Sequence, residues 1–135
     1  LLCIFPFIVE GQSGYGVSIL PSSVTSAPPL HSGAIAVRNG KWIFIGGRID
    51  GLHIIQSNQA FPSYGRNDSI FIVDPVTNTS QAVDASQLTP SLYEALCSAN
   101  MEFYQDGNNL YMIGGYGKAA MQNQWLTFHS LILNI

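Results

Sequence analysis

Lys41-Trp42-Ile43-Phe44-Ile45-Gly46-Gly47 and Asn109-Leu110-Tyr111-Met112-Ile113-Gly114-Gly115 are the stretches on which the fold turns. Each is a run of β-branched and aromatic residues, the composition that suits a strand, closed by two glycines. The doublets stand 68 residues apart. Before the first lies another apolar run, residues 32–38, joined to it by Asn39-Gly40. Asn-Gly between two such runs marks a tight hairpin, because both corners of a type I′ turn need positive φ. Before the second lies the run 99–105, and Asp106-Gly107-Asn108 reads as the same connection with one residue more. A third strand follows each hairpin, at 67–75 and at 128–134, the latter after a short loop. In the first copy, residues 76–79 read as a turn and 80–84 as a fourth strand.

The same object therefore occurs twice. Units of four antiparallel strands in tandem describe blades of a propeller. A blade has two broad faces and needs neighbours on both. This accounts for nearly all-apolar runs, where a sheet with one wet face would alternate strictly. The expected fold class is all-β: a propeller fragment of about two four-stranded antiparallel blades, the second incomplete. Blade one covers about 31–84, a connection about 85–96, and partial blade two about 97–135. The connection holds the one helix candidate, with Thr89 as cap, Pro90 in the first turn, and Leu92, Tyr93 and Leu96 on one side. Residues 15–20 give a further short strand signal, which would pair with a last blade beyond this chain.

Composition narrows the function. The 135 residues carry 5 Lys and Arg against 8 Asp and Glu, with 47% hydrophobic and 10% charged. That is a folding composition rather than a disordered one. Five cations cannot grip a polyanion at many phosphates, so no nucleic-acid partner is expected. The two cysteines, Cys3 and Cys97, exclude a disulfide-dense scaffold and a four-cysteine zinc site. The uncharged run Leu1-Leu2-Cys3-Ile4-Phe5-Pro6-Phe7-Ile8-Val9 is too short to span a bilayer as a helix. It matches the apolar core of a secretory signal, and cleavage after Gly11 fits. Residues 1–13 are thus read as a truncated signal peptide and 14–135 as blades. The mature protein would be secreted or on the cell surface, with no membrane span. The apolar end Leu131-Ile132-Leu133-Asn134-Ile135 reads as a second truncation.

These marks resemble the kelch repeat. They are the strands ending in Gly46-Gly47 and Gly114-Gly115, the string Asn67-Asp68-Ser69-Ile70-Phe71-Ile72-Val73-Asp74-Pro75-Val76-Thr77-Asn78, and His31 before the first strand. The resemblance covers about 31–84 and, in part, 97–134. Departures from the family pattern are Val73 where an aromatic usually precedes Asp74-Pro75, and Ser80 in place of a Trp. The repeat also exceeds the roughly 50 residues of a standard unit. With a secretion signal ahead, the chain is similar to the start of an exported kelch, galactose-oxidase-like protein of the Bacteroidetes type. The resemblance implies partners in the remaining blades of a longer chain.

Chemistry is sparse. Gly115-Tyr116-Gly117-Lys118 lacks the remainder of a phosphate loop, and the glycine doublets fit close backbone approach at strand ends. His31, His53 and His129 do not pair at ligand spacing. No cofactor, metal site or catalytic residue is expected. Cys97 reads as a small buried hydrophobe. Asp68, Asp74, Asp84 and Asp106 fall at turns, where carboxylates accept from local N–H groups. Glu102, in an apolar run, reads as a charge on the wall of a central channel. Asn67 and Asn78 begin glycosylation sequons.

The long loop 48–66 is the place for recognition. Its Arg48, Asp50, His53, Tyr64 and Arg66 put planar polar groups beside aromatics, which suits sugars or peptides. The expectation is a non-catalytic binding or scaffold module for an unidentified protein or glycan. The alternatives are one sector of a kelch enzyme, such as a carbohydrate oxidase or sialic-acid mutarotase, and a structural spacer of a larger exported protein.

Overall fold

A computed structural model describes residue 18 and residues 23–51, 62–119 and 124–135. The expected signal segment 1–13, the strand signal at 15–20 except residue 18, and His53 lie outside the described residues. The chain is mostly β, with antiparallel pairing throughout. Strands β1 (Ala34–Arg38), β2 (Lys41–Ile45), β3 (Ser69–Asp74) and β4 (Thr79–Asp84) form one sheet in sequence order. Strands β5 (Glu102–Asp106), β6 (Asn109–Ile113) and β9 (Leu131–Asn134) form a second. A separate two-stranded hairpin, β7 (Tyr116–Ala119) with β8 (Gln124–Thr127), lies between β6 and β9 in the chain. Helix α1 (Pro90–Leu96) joins the two larger sheets.

Local chemistry accounts for the turns. Asn39 at φ 50 and Gly40 at φ 75 take both corners of the first hairpin, as a type I′ turn requires. The second hairpin is a residue shorter than its sequence indicates. Asp106 pairs with Asn109 inside the ladder, which leaves Gly107-Asn108 as the turn, with Gly107 at φ 56. The β3–β4 turn is tied by Asp74, whose Oδ1 accepts from the N–H groups of Val76 and Thr77 at 2.9 and 3.1 Å. Pro75 follows it with no N–H to leave unpaired. Pro90 opens α1 as expected, and Thr89 occupies the cap position without a side-chain cap bond.

The core lies between the two larger sheets. Cross-strand pairs Ala34–Ile45 and Ala36–Ile43 present one face of the first sheet. Leu110, Met112, Leu131 and Leu133 present the facing surface of the second, with Leu96 and Met101 closing one end. Burying Leu110 completely contributes about 1.5–3 kcal/mol. Small Ala34 and Ala36 sit on β1, which contacts β5, and larger Ile43 and Ile70 lie further out. The gap widens outward into an apolar space of about 310 Å³ lined by Ile70, Leu92 and Leu133.

The two sheets stack the same way round. Shifted by the repeat length, Leu110 and Met112 occupy the places of Trp42 and Phe44, and Glu102, Tyr104 and Ile113 those of Ala34, Ala36 and Ile45. The face bearing Ile35, Val37, Trp42 and Phe44 is left outermost on one side, and that bearing Tyr104, Ile113 and Ile132 on the other. Gln105 stitches the units at the repeat spacing. Its Oε1 accepts from the Val37 N–H at 2.8 Å and its Nε2 donates to the Val37 carbonyl at 2.7 Å. Glu102 is exposed on the outward face of β5.

Both doublets need glycine, for partly different reasons. Gly46 (φ 64) and Gly47 (φ 81) are left-handed and pressed against backbone. A Cβ on Gly46 would lie 2.6 Å from the Ser98 carbonyl oxygen and 2.7 Å from that of Leu96. Gly115 abuts the Ser98 side chain, whereas a Cβ on Gly114 at φ 69 meets nothing within 4 Å among the described residues.

Candidate functional site

Past Gly47 the first sheet narrows to a ribbon. His31 bridges to Arg48, and Arg48 to Arg66, both antiparallel. The Arg48 N–H donates to the His31 carbonyl at 2.9 Å, and the Ile49 N–H to that of Gly65 at 2.9 Å. These bonds zip shut the base of the loop 48–66. A single turn of 3-10 helix, Ser63–Gly65, brings the chain back. Gly65 lets the chain pass close to the Arg48–Asp50 pair, whose tips would have to shift to admit a Cβ.

The loop base is a charge lattice. Arg48, only 4% exposed, donates from Nε and Nη2 to the two carboxylate oxygens of Asp50 at 2.9 and 2.7 Å. Nη2 also donates to the Pro62 carbonyl at 2.7 Å. This two-pronged pairing is strong and fixes the guanidinium plane. The hydrogen bonds from Arg48 hold the Asp50 carboxyl below its ordinary range against the opposing cost of burial. His31 Nε2 lies 3.9 Å from Asp50 Oδ1 and has no hydrogen-bond partner among the described residues. Arg66 repeats the device one strand over. Its Nε donates to Asp68 Oδ1 at 2.7 Å, and its Nη2 to the Tyr93 hydroxyl at 2.6 Å. The guanidinium carbon sits 4.9 Å from the Tyr93 ring centroid. Burial raises the Tyr93 phenol, which therefore stays protonated and accepts this bond.

The sequence-derived set thus separates. Arg48, Asp50 and Arg66 come together at the loop base. Tyr64 points away and is 79% exposed. Between the loop base and the second unit runs a narrow cleft of about 20 Å³, lined by Arg48, Ser63, Arg66, Cys97, Tyr116 and Lys118 among others. Backbone bonds between Ala99 and Tyr116 at 3.0 and 2.7 Å hold its far wall. Cys97 is buried in that wall, and desolvation pushes its thiol up to about 12, so it is no nucleophile at neutral pH.

Tyr93, Tyr116, Lys118 and Trp125 were not legible as site residues. On the β7–β8 hairpin Lys118 stands opposite Trp125 and Tyr116 opposite Thr127, so these side chains share one face. The Tyr116 and Trp125 rings stack with centroids 5.6 Å apart and planes 11° apart. The signal available was alternation across 116–118 and 125–127, interrupted by glycine.

The sequons divide as well. Asn67 is buried, donating to the carbonyls of Gly46 and Ser69 and accepting from the Ser69 N–H, which makes it a structural pin of the doublet. Asn78 is bonded to Thr25 and Ser26. A wider groove of about 460 Å³ between α1 and the β8–β9 connection is lined by Leu92, Glu94, Phe128 and His129. Among the described residues no three His, Cys, Asp or Glu side chains converge, and no helix is long and apolar enough to cross a membrane.

A scan of protein-family models finds no match to the chain, and no curated protein matches it.

Proposed function

We propose that the chain is part of a secreted or cell-surface, kelch-type propeller that binds a protein or glycan through its strand-end loops and performs no catalysis. The observation that carries this reading is the repeated stacking. Two glycine-doublet units lie in separate sheets, packed in the same orientation, with Gln105 joining equivalent positions of each. Further units would cover the two outward apolar faces in the same manner. Among the described residues nothing lies within 4 Å of a Cβ on Gly114, at the place where Leu96 and Ser98 press on Gly46, and a following connection would fill it. Arg48 and Tyr116, which directly follow the two doublets, line the same cleft. Rigid strands with a charged, partly buried loop base are a suitable platform for recognition.

The test compares the intact protein with a variant lacking residues 52–64, on a glycan array and in pull-downs. Loss of a ligand on deletion supports the reading, and unchanged binding removes it.

A further inference from the structure

We propose that the cleft between the loop base and the β7–β8 hairpin is a site for the carboxylate of an acidic sugar, with the Tyr116–Trp125 stack as the platform for the sugar ring. The inference rests on the glycan side of the function proposed above and assigns it a ligand class.

Three cations line one small space: Arg48, Arg66 and Lys118. Two are already balanced on one edge. Asp50 holds Arg48 through Nε and Nη2, and Asp68 holds Arg66 through Nε. Arg66 spends Nη2 on the Tyr93 hydroxyl. Its remaining nitrogen, Nη1, has no acceptor among the described residues. Lys118 forms no ion pair among them either. Among the described residues, three cations stand against the two aspartates that pair with them, which leaves a net positive charge. The aspartates act as orienters, locking the guanidinium planes before any ligand arrives, which lowers the ordering cost of binding.

Size selects the group. Room of about 20 Å³ accepts one or two water-sized centres, which matches the oxygens of a carboxylate and not a ring. The ring must then lie outside, and the adjoining surface fits one. Lys118 stands directly across from Trp125, and Tyr116 lines the cleft while stacking on Trp125. Both aromatics are partly exposed. A flat aromatic surface beside a positive recess matches the apolar face of a pyranose carrying a carboxylate at its edge. Acidic peptides share the charge but present no such flat ring.

The experiment uses the intact protein and two probes, trigalacturonate and its methyl ester, which keeps the sugar and removes the charge. Calorimetric titration is expected to show binding of the acid and at least roughly tenfold weaker binding of the ester, the worth of one charge-assisted hydrogen bond. Lys118→Gln, a change at a half-buried hairpin position outside the hydrophobic core, is expected to erase that preference, and Trp125→Ala to weaken both probes. Equal affinity for acid and ester overturns the carboxylate site while leaving glycan binding intact. Binding of neither probe, with retention of other glycans on the array, overturns it too. Binding of an aspartate-rich peptide as tight as the acid assigns the cleft to peptides and overturns the sugar platform.

Discussion

Gly46 and Gly114 hold the same place in the two units, with nearly the same backbone angle, φ 64 and 69. Replacing each with alanine separates what the angle costs from what the packing costs. A left-handed conformation costs a non-glycine residue roughly 1–2 kcal/mol. At Gly114 the described surroundings add nothing, since no atom lies within 4 Å of the new Cβ. At Gly46 the Cβ would press on two backbone carbonyls and on the Met101 methyl at 2.8 Å. Carbonyls held by the helix end cannot step aside, and overpacking of this kind adds about 1–3 kcal/mol. Gly46→Ala should therefore cost about 2–5 kcal/mol in urea unfolding, followed by tryptophan fluorescence. In the intact protein the blade reading makes a second demand. A following connection should crowd Gly114 as Leu96 and Ser98 crowd Gly46, so Gly114→Ala should approach the same loss. If Gly46→Ala costs no more than the angle alone, the packing between units is wrong. If Gly114→Ala stays near 1–2 kcal/mol while Gly46→Ala costs more, no equivalent unit follows.

Asp50→Asn leaves the buried Arg48 guanidinium with a neutral partner, and stability should fall by about 1–3 kcal/mol at pH 7. The Asp50 carboxyl titrates below its ordinary value of 3.8 in the folded chain, so its contribution is present above that pH and is lost as pH falls through the lowered value. Acid unfolding of the native chain and of the variant should converge there, and a constant gap between them down to the lowest pH would contradict the pairing. Cys97 should resist iodoacetamide at pH 8 in the folded protein and react once urea unfolds it. Its thiol sits at about 12 folded against an ordinary 9.0, so the unfolded chain releases the proton first and stability declines as pH rises above 9.0. Cys97→Ala should flatten that part of the decline, and labelling of the native protein at the rate of a free thiol would refute the burial.

The hairpins were legible because their information is local. Asn39-Gly40 carries its own conformational demand, and the runs beside it carry their period. The β7–β8 hairpin was missed because its strands are four residues each, and Gly117 and Lys118 break the apolar run that marks a buried strand. Asp106 read as a turn residue by type but is held in the ladder by pairing with Asn109. Arg48 and Arg66 were recognisable as polar residues of a long loop. Their pairing with Asp50 and Asp68 was not read, and Asp68 was taken for a turn residue, although residues two apart on extended chain share a face. The approach of Tyr93 from α1, and of Tyr116 and Lys118 from the other unit, was not legible. Those contacts follow from how the two sheets dock, which no short spacing encodes.

The central claim is that both glycine-doublet units are like slices stacked in one sense. Methyl-to-methyl nuclear Overhauser contacts in the intact protein test it most directly. The account predicts cross-peaks from Ala34, Ala36 and Ile45 to Leu110 and Met112, and a shift of the Val37 amide resonance on Gln105→Leu. Cross-peaks confined within each sheet, with Val37 indifferent to residue 105, would contradict it.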